Sequence, residues 1–104
     1  MEKRNLAEQV YQLCKQVPKG KVTTYKEIAG VLGMSGFQAI GQILKKNPYP
    51  DIVPCFKIVK SSGEIGGYCG SNPKNISIKI QKLQKEGIVI KDNKVNLSKY
   101  LYRF

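Results

Sequence analysis

Apolar positions set the first reading of the chain. In "NLAEQVYQLCKQV", Leu6, Val10, Leu13, Cys14 and Val17 recur three and four apart, which predicts a helix with one inward side and places Cys14 in the core. Asn5 and Glu8 have capping-box spacing, and Pro18 and Gly20 end the segment. "TTYKEIAGVLG" repeats the signature: Thr24 is the N-cap, Glu27 lies at N3, Ile28, Ala29 and Leu32 face inward, and Gly33 suits the left-handed position after the last turn. "SGFQAIGQILKKN" predicts a third helix from Ser35, with Gln38 three residues on and Phe37, Ile40 and Leu44 inward. Two short helices joined by Gly-Met-Ser make a helix-turn-helix candidate.

Prolines then break the helical rhythm. Pro48, Pro50 and Pro54 forbid a regular helix in "NPYPDIVPCFKIV", while Ile52, Val53, Ile58 and Val59 call for burial. An ordered loop running into a short extended or single-turn segment is expected there. "SSGEIGGYCG" reads as a glycine-rich turn region. A last helix is predicted from Pro73, with Asn72 as N-cap, Ile76, Ile80 and Leu83 on one face and Gly87 as C-cap. Lys79, Lys82 and Lys85 then read as a solvated basic face. "IVIKDNKVNL" places two short strands around Asp92-Asn93, a hairpin signal that suggests a wing. The expected fold is mainly α with a small β element, one winged helix-turn-helix-like domain over residues 1–104.

Charge narrows the function. The 18 Lys and Arg against 7 Asp and Glu leave a formal charge of +11, which favours a polyanionic partner, nucleic acid first. No charged side chain lies between Ile28 and Leu44, whereas Lys19, Lys21 and Lys26 precede the helix pair and Lys45 and Lys46 close it. A helix that meets base edges with phosphate contacts at its ends has this pattern; a plain helical hairpin with a charged rim has it too. No apolar run reaches transmembrane length, so no membrane partner is expected. Cys14, Cys55 and Cys69 are odd in number and widely spaced, which argues against a disulfide framework and for a reducing, intracellular setting, cytoplasmic or with the nucleoid or nucleus. Histidine is absent, which removes Cys-His zinc sites, Cys-His pairs and the usual neutral-pH base. No metal, cofactor or oligomer is called for.

In order and nearly in spacing, "VTTYKEIAGVLG", "QAIGQILKKNPYPDIVPCFKIV", "GEIGGY" and "KLQKEG" resemble the C-terminal DNA-binding and catalytic domain of the alkylguanine-DNA alkyltransferases, or methylated-DNA-protein cysteine methyltransferases. The likeness runs from about Pro18 to Gly87. It implies a monomer that binds the minor groove of double-stranded DNA containing alkylated guanine, flips the damaged base and moves the alkyl group from the base oxygen onto a cysteine, irreversibly. Carried over by position, Cys55 is the acceptor and Asn47 the hinge asparagine between recognition helix and active-site loop. Tyr25 presses the phosphate of the rotated nucleotide, Tyr68 shapes the base pocket, and Glu86 resembles the glutamate that ends the cysteine's hydrogen-bond relay. Lys45, at the end of the recognition helix, joins the DNA-binding set.

Three departures stand out. Phe56 occupies the place of the family's histidine, so the relay from cysteine through histidine to glutamate cannot form, and Phe56 is free to pack or to stack near the base pocket. Lys57 replaces an arginine and keeps the charge without the donor fork. Gln38 stands where an intercalating arginine would fill the gap left by the flipped base. Transfer needs a thiolate, and a free thiol near pKa 8.5 is only a few per cent ionised at neutral pH. Lys57, phosphate-facing lysines and backbone N–H groups around Cys55 are the expected substitutes for histidine, with Tyr25 or Tyr68 supplying protons. Cys69 is either a second thiol near the pocket or a small residue in a glycine turn. The chain reads as an active acceptor, as an alkyltransferase-like damage sensor without transfer, or as a plain winged-helix regulator.

Overall fold

A computed structural model describes residues 5–36, 38–46, 53–66 and 73–104. Helix α1 spans Leu6–Gln16, and the Asn5 side chain accepts the Glu8 N–H at 2.8 Å, as its spacing predicts. Val10, Leu13 and Cys14 are its buried face. The two-residue strand β1, Thr23–Thr24, leads directly into α2, Tyr25–Val31, where the Thr24 hydroxyl accepts the Glu27 N–H at 3.1 Å. Helix α3 spans Gln38–Lys45 with Ile40 and Leu44 buried. It begins later than the capping pattern at Ser35 suggests; Ser35 and Gly36 stay outside the helix, and glycine in a first turn is unfavourable. The expected inward Phe37 and the expected N-cap Asn72 lie outside the described residues.

A single 3-10 turn, Cys55–Lys57, runs into β2, Ile58–Val59. Strands β1 and β2 pair in parallel, Thr23 opposite Ile58 and Thr24 opposite Val59. This pairing has no local signal in the sequence. Helix α4 spans Pro73–Lys85 and is followed by Gly87 at φ +86°, the left-handed residue expected after its end. Strands β3, Ile90–Lys91, and β4, Lys94–Val95, form the predicted hairpin, and Asp92 and Asn93 both have positive φ, as a type I′ turn requires. A short helix α5, Leu97–Tyr100, then returns the chain to the first sheet. There the Val22 N–H donates to Tyr100 O at 2.9 Å and the Tyr102 N–H to Val22 O at 2.7 Å.

Among the described residues two apolar clusters result. One gathers α1, α2, α3 and the 3-10 turn around Val10, Cys14, Ile28, Ile40, Cys55 and Ile58. The other gathers Val22, Val59, Ile65, Leu83, Ile88, Val95 and Tyr100. Phe56 packs against both.

The hairpin is fastened at Gly63, whose carbonyl accepts the Val95 N–H at 2.8 Å. Gly63 has φ +91°, and a Cβ there would stand 2.7 Å from the Val95 carbonyl oxygen. Gly63→Ala should therefore cost about 1–3 kcal/mol, from strain and backbone collision together, read as a lower urea midpoint at unchanged slope.

One expectation fails outright. Lys79 does not belong to a solvated basic face; it is fully buried, while Lys82 is half-buried and Lys85 exposed. It lies three residues after Ile76 and four before Leu83, on the stripe that packs inward, and its ammonium donates to the carbonyls of Ile58 and Ile65 at 2.6 Å each. Burial is tolerable because those carbonyls replace water.

Candidate active site

The backbone around Cys55 is set by the proline before it. Pro54 has φ −78° and ψ 65°, and the Cys55 N–H donates to Val53 O at 2.8 Å, which is an inverse γ-turn. A proline ring already holds φ near this value in the unfolded chain, so fixing φ here costs little conformational freedom. Next, the Lys57 N–H donates to Pro54 O at 3.1 Å and closes the 3-10 turn. Cys55 is thereby held at the head of the turn, 5% exposed and outside any disulfide.

Lys57 points away from solvent. Its ammonium donates to the carbonyls of Val17 and Pro18 at 3.1 and 3.2 Å and pairs with Glu86 Oε1 at 3.1 Å. The same Glu86 oxygen accepts the Gly20 N–H at 3.0 Å, and Gly20 has φ +83°. Lys57 and Glu86 thus tie the 3-10 turn to the end of α4 and to the loop after α1. Glu86 meets a lysine at the place where the family resemblance puts the end of a histidine relay. Phe56, half-buried, carries the Lys57 and Lys82 ammonium groups 5.9 and 5.7 Å from its ring centre.

Tyr25 opens α2 and lines a cavity of about 330 Å³ with Gly41, Lys60, Ser61 and Ser62. That volume lies in the range of small-ligand sites. Gly66, at φ +71°, leaves room beside the tyrosine hydroxyl; even a Cβ there would be 3.8 Å from it. The Tyr25 phenol is raised above its ordinary pKa, first by burial and then by the charges of Cys55 and Cys14, so it stays protonated at neutral pH. Burial, reinforced by Cys55, pushes the Cys14 thiol up to about 12. Cys14 is consequently a packing residue and a poor nucleophile.

The remaining predicted residues lie around this centre. Gln38 and Lys45 are exposed at the first and last positions of α3. Asn47, Tyr68 and Cys69 lie outside the described residues. The residue that the sequence reading missed is Lys79: burial lowers its pKa from 10.5 to about 7, and the charge of Cys55 acts on it in the opposite direction. The apolar stripe Ile76, Leu83 was the available signal, because Lys79 falls on it at helical spacing.

Comparison with known proteins follows the same lines. Residues 5–88 match the family described as 6-O-methylguanine DNA methyltransferase, DNA binding domain. A bifunctional methyltransferase/endonuclease of Picrophilus torridus is 34% identical over 103 residues, covering 98% of this chain and 33% of that protein. A methylated-DNA–protein-cysteine methyltransferase of Candida glabrata is 35% identical over 107 residues, covering 94% of this chain and 50% of that protein. The chain spans between a third and a half of the length of these curated relatives. The crystal structure of S. pombe Atl1 in complex with damaged DNA containing O6-carboxymethylguanine superimposes with a TM-score of 0.85 at 28% identity, covering all of both chains. The mainly helical domain with its small β element, and the match across residues 5–88, carry one conclusion: this chain belongs to the 6-O-methylguanine DNA methyltransferase family.

Proposed function

We propose that this chain binds double-stranded DNA through the minor groove as a monomer, turns an O-alkylated guanine out of the stack and takes the alkyl group onto Cys55. The observation that carries this reading is the proline-fixed cysteine in the protein core, beside a tyrosine that stays protonated at neutral pH. The step is a displacement at an sp3 carbon: the Cys55 thiolate forms the S–C bond, the C–O electron pair goes to the guanine, and the Tyr25 phenol neutralises the departing base. Tyr25 recovers its proton from solvent, whereas Cys55 is consumed. A reaction that stops after one turnover has no base to regenerate, so Phe56 in place of histidine slows the chemistry without forbidding it. Gln38 and Lys45, exposed at the two ends of α3, suit the gap left by the base and the flanking phosphates. Tyr68 and Asn47 keep the pocket and hinge roles that the family resemblance implies.

Full-length similarity to S. pombe Atl1 supports a second reading, a damage sensor that holds the lesion without transfer. One experiment separates the two. Incubation with a duplex carrying a single O6-methylguanine, followed by intact mass and peptide mapping, should show one added methyl, on Cys55. Tight binding with no gain in mass would make the chain a sensor.

A further inference from the structure

Beside the Tyr25 cavity lies a second one, of about 310 Å³, and Ser61 lines both. Its polar lining comes from three parts of the chain: Thr24, Lys26 and Glu27 where β1 passes into α2, Ser61 after β2, and Ser98 and Arg103 from the C-terminal segment. Ser98 and Arg103 lie outside the family match over residues 5–88. Backbone bonds hold that segment in place: the Tyr102 N–H donates to Val22 O at 2.7 Å, and Arg103 follows directly. The exposed Arg103 guanidinium meets Glu27 at 3.6 Å, Nε to Oε1, which is too long for a hydrogen bond, and such a pair is weak. Lys26 is in no ion pair among the described residues. Two cations therefore face one carboxylate among three hydroxyls. One positive charge is left unbalanced, and a phosphodiester carries one negative charge.

We propose that the C-terminal segment completes a phosphate seat: Arg103, with Lys26 and the Ser61 and Ser98 hydroxyls, binds the backbone phosphate of the nucleotide whose base occupies the Tyr25 cavity. This rests on the reading of the chain as one that turns a base out of DNA. The two cavities adjoin through Ser61 and through the step from Thr24 to Tyr25, so one nucleotide reaches both, its base in the first and its phosphate in the second. Glu27 holds Arg103 aside until DNA arrives. Binding then exchanges a long, exposed ion pair for a bidentate, charge-assisted grip, which the guanidinium fork makes on phosphate. The Glu27 carboxylate stays beside the seat and repels the incoming phosphate, so it opposes binding while serving at N3 of α2.

The test measures binding by fluorescence anisotropy over a range of salt, to a duplex carrying one O6-methylguanine and to its undamaged counterpart. Arg103→Gln, Arg103→Lys and Glu27→Gln are compared with their parent, all in the Cys55→Ala background so that the lesion persists, with the wild-type chain alongside on undamaged DNA. Glutamine serves a helix N-terminus as glutamate does, so Glu27→Gln removes the charge and keeps the cap. Arg103→Gln should bind the lesion duplex roughly tenfold more weakly, with a salt slope shallower by about 0.9, one phosphate's share, and lose less on undamaged DNA. Arg103→Lys should restore the slope, and Glu27→Gln should bind the lesion duplex more tightly than the parent. An arginine that only braces the tail through Glu27 would be harmed from either side: a loss of binding in both glutamine variants overturns the proposal. An unchanged slope in Arg103→Gln, or equal losses on the two duplexes, overturns it as well. A parent that binds both duplexes alike refutes base eversion, and a slope that still falls in Arg103→Gln then upholds the phosphate contact by itself.

Discussion

Cys55→Ala will bind an alkylated duplex with the affinity of the wild-type chain and take up no methyl group. Transfer is lost because the proposed reaction has one acceptor: Cys14 is held protonated in the core by burial, the chain has no histidine, and Cys69, the remaining thiol, lies outside the Pro54-Cys55 turn. Binding survives because the surfaces proposed to meet DNA, the ends of α3 and the cavity at Tyr25, do not include the sulfur. Loss of a single buried sulfur costs about 1 kcal/mol of stability, small enough to leave the fold intact. Lesion-duplex gel shifts beside intact mass check both halves. Methylation of the variant at another residue would mean that Cys55 is not the acceptor.

The second large effect is on stability. Glu86→Ala removes the carboxylate from an ammonium that is almost wholly buried, and the Gly20 N–H loses its acceptor in the same step. Breaking one side of a buried pair leaves an uncompensated charge, which costs about 3–5 kcal/mol; the low end applies because the Glu86 side chain is still 17% exposed. Urea unfolding should show the loss as a lower midpoint. Lys57→Met combined with Glu86→Ala should recover much of it, because the orphaned charge disappears. A double variant no more stable than Glu86→Ala would indicate that the carbonyl contacts of Lys57 to Val17 and Pro18, and not the charge pair, are the larger contribution.

What the sequence made legible was local. Asn5 and Thr24 cap their helices as their spacing predicts, since a cap needs only three residues, and Asp92-Asn93 marks a turn through a backbone conformation that few residue types accept. The short extended segment at Ile58–Val59 was expected, but its parallel pairing with β1 was invisible for the opposite reason: each strand is two residues long, and the pairing joins segments with no common periodicity. The same division runs through the site. Pro54-Cys55 stood out because proline constrains its own neighbourhood. Lys57 and Glu86 were each marked out by the resemblance, but their mutual bond is a product of tertiary structure alone. Lys79 was misread because three lysines at helical spacing suggest a wet face; its place between Ile76 and Leu83 carried the better information.

The contact between Val22 and the residues that follow α5 has a consequence in time. Lys21 meets the carbonyl of Lys99, 78 residues further on, and the N–H and carbonyl of Val22 are both engaged, by Tyr100 and Tyr102. A chain built mostly of helices would ordinarily assemble quickly from neighbouring segments; here the bridge from Val22 to Leu101, beside the β1–β2 pair, waits for a loop of most of the chain to close. During synthesis, therefore, α1 to α3 can gather around their own cluster well before residues 100–102 leave the ribosome, whereas Val22, just before β1, is bridged only when Tyr102 arrives.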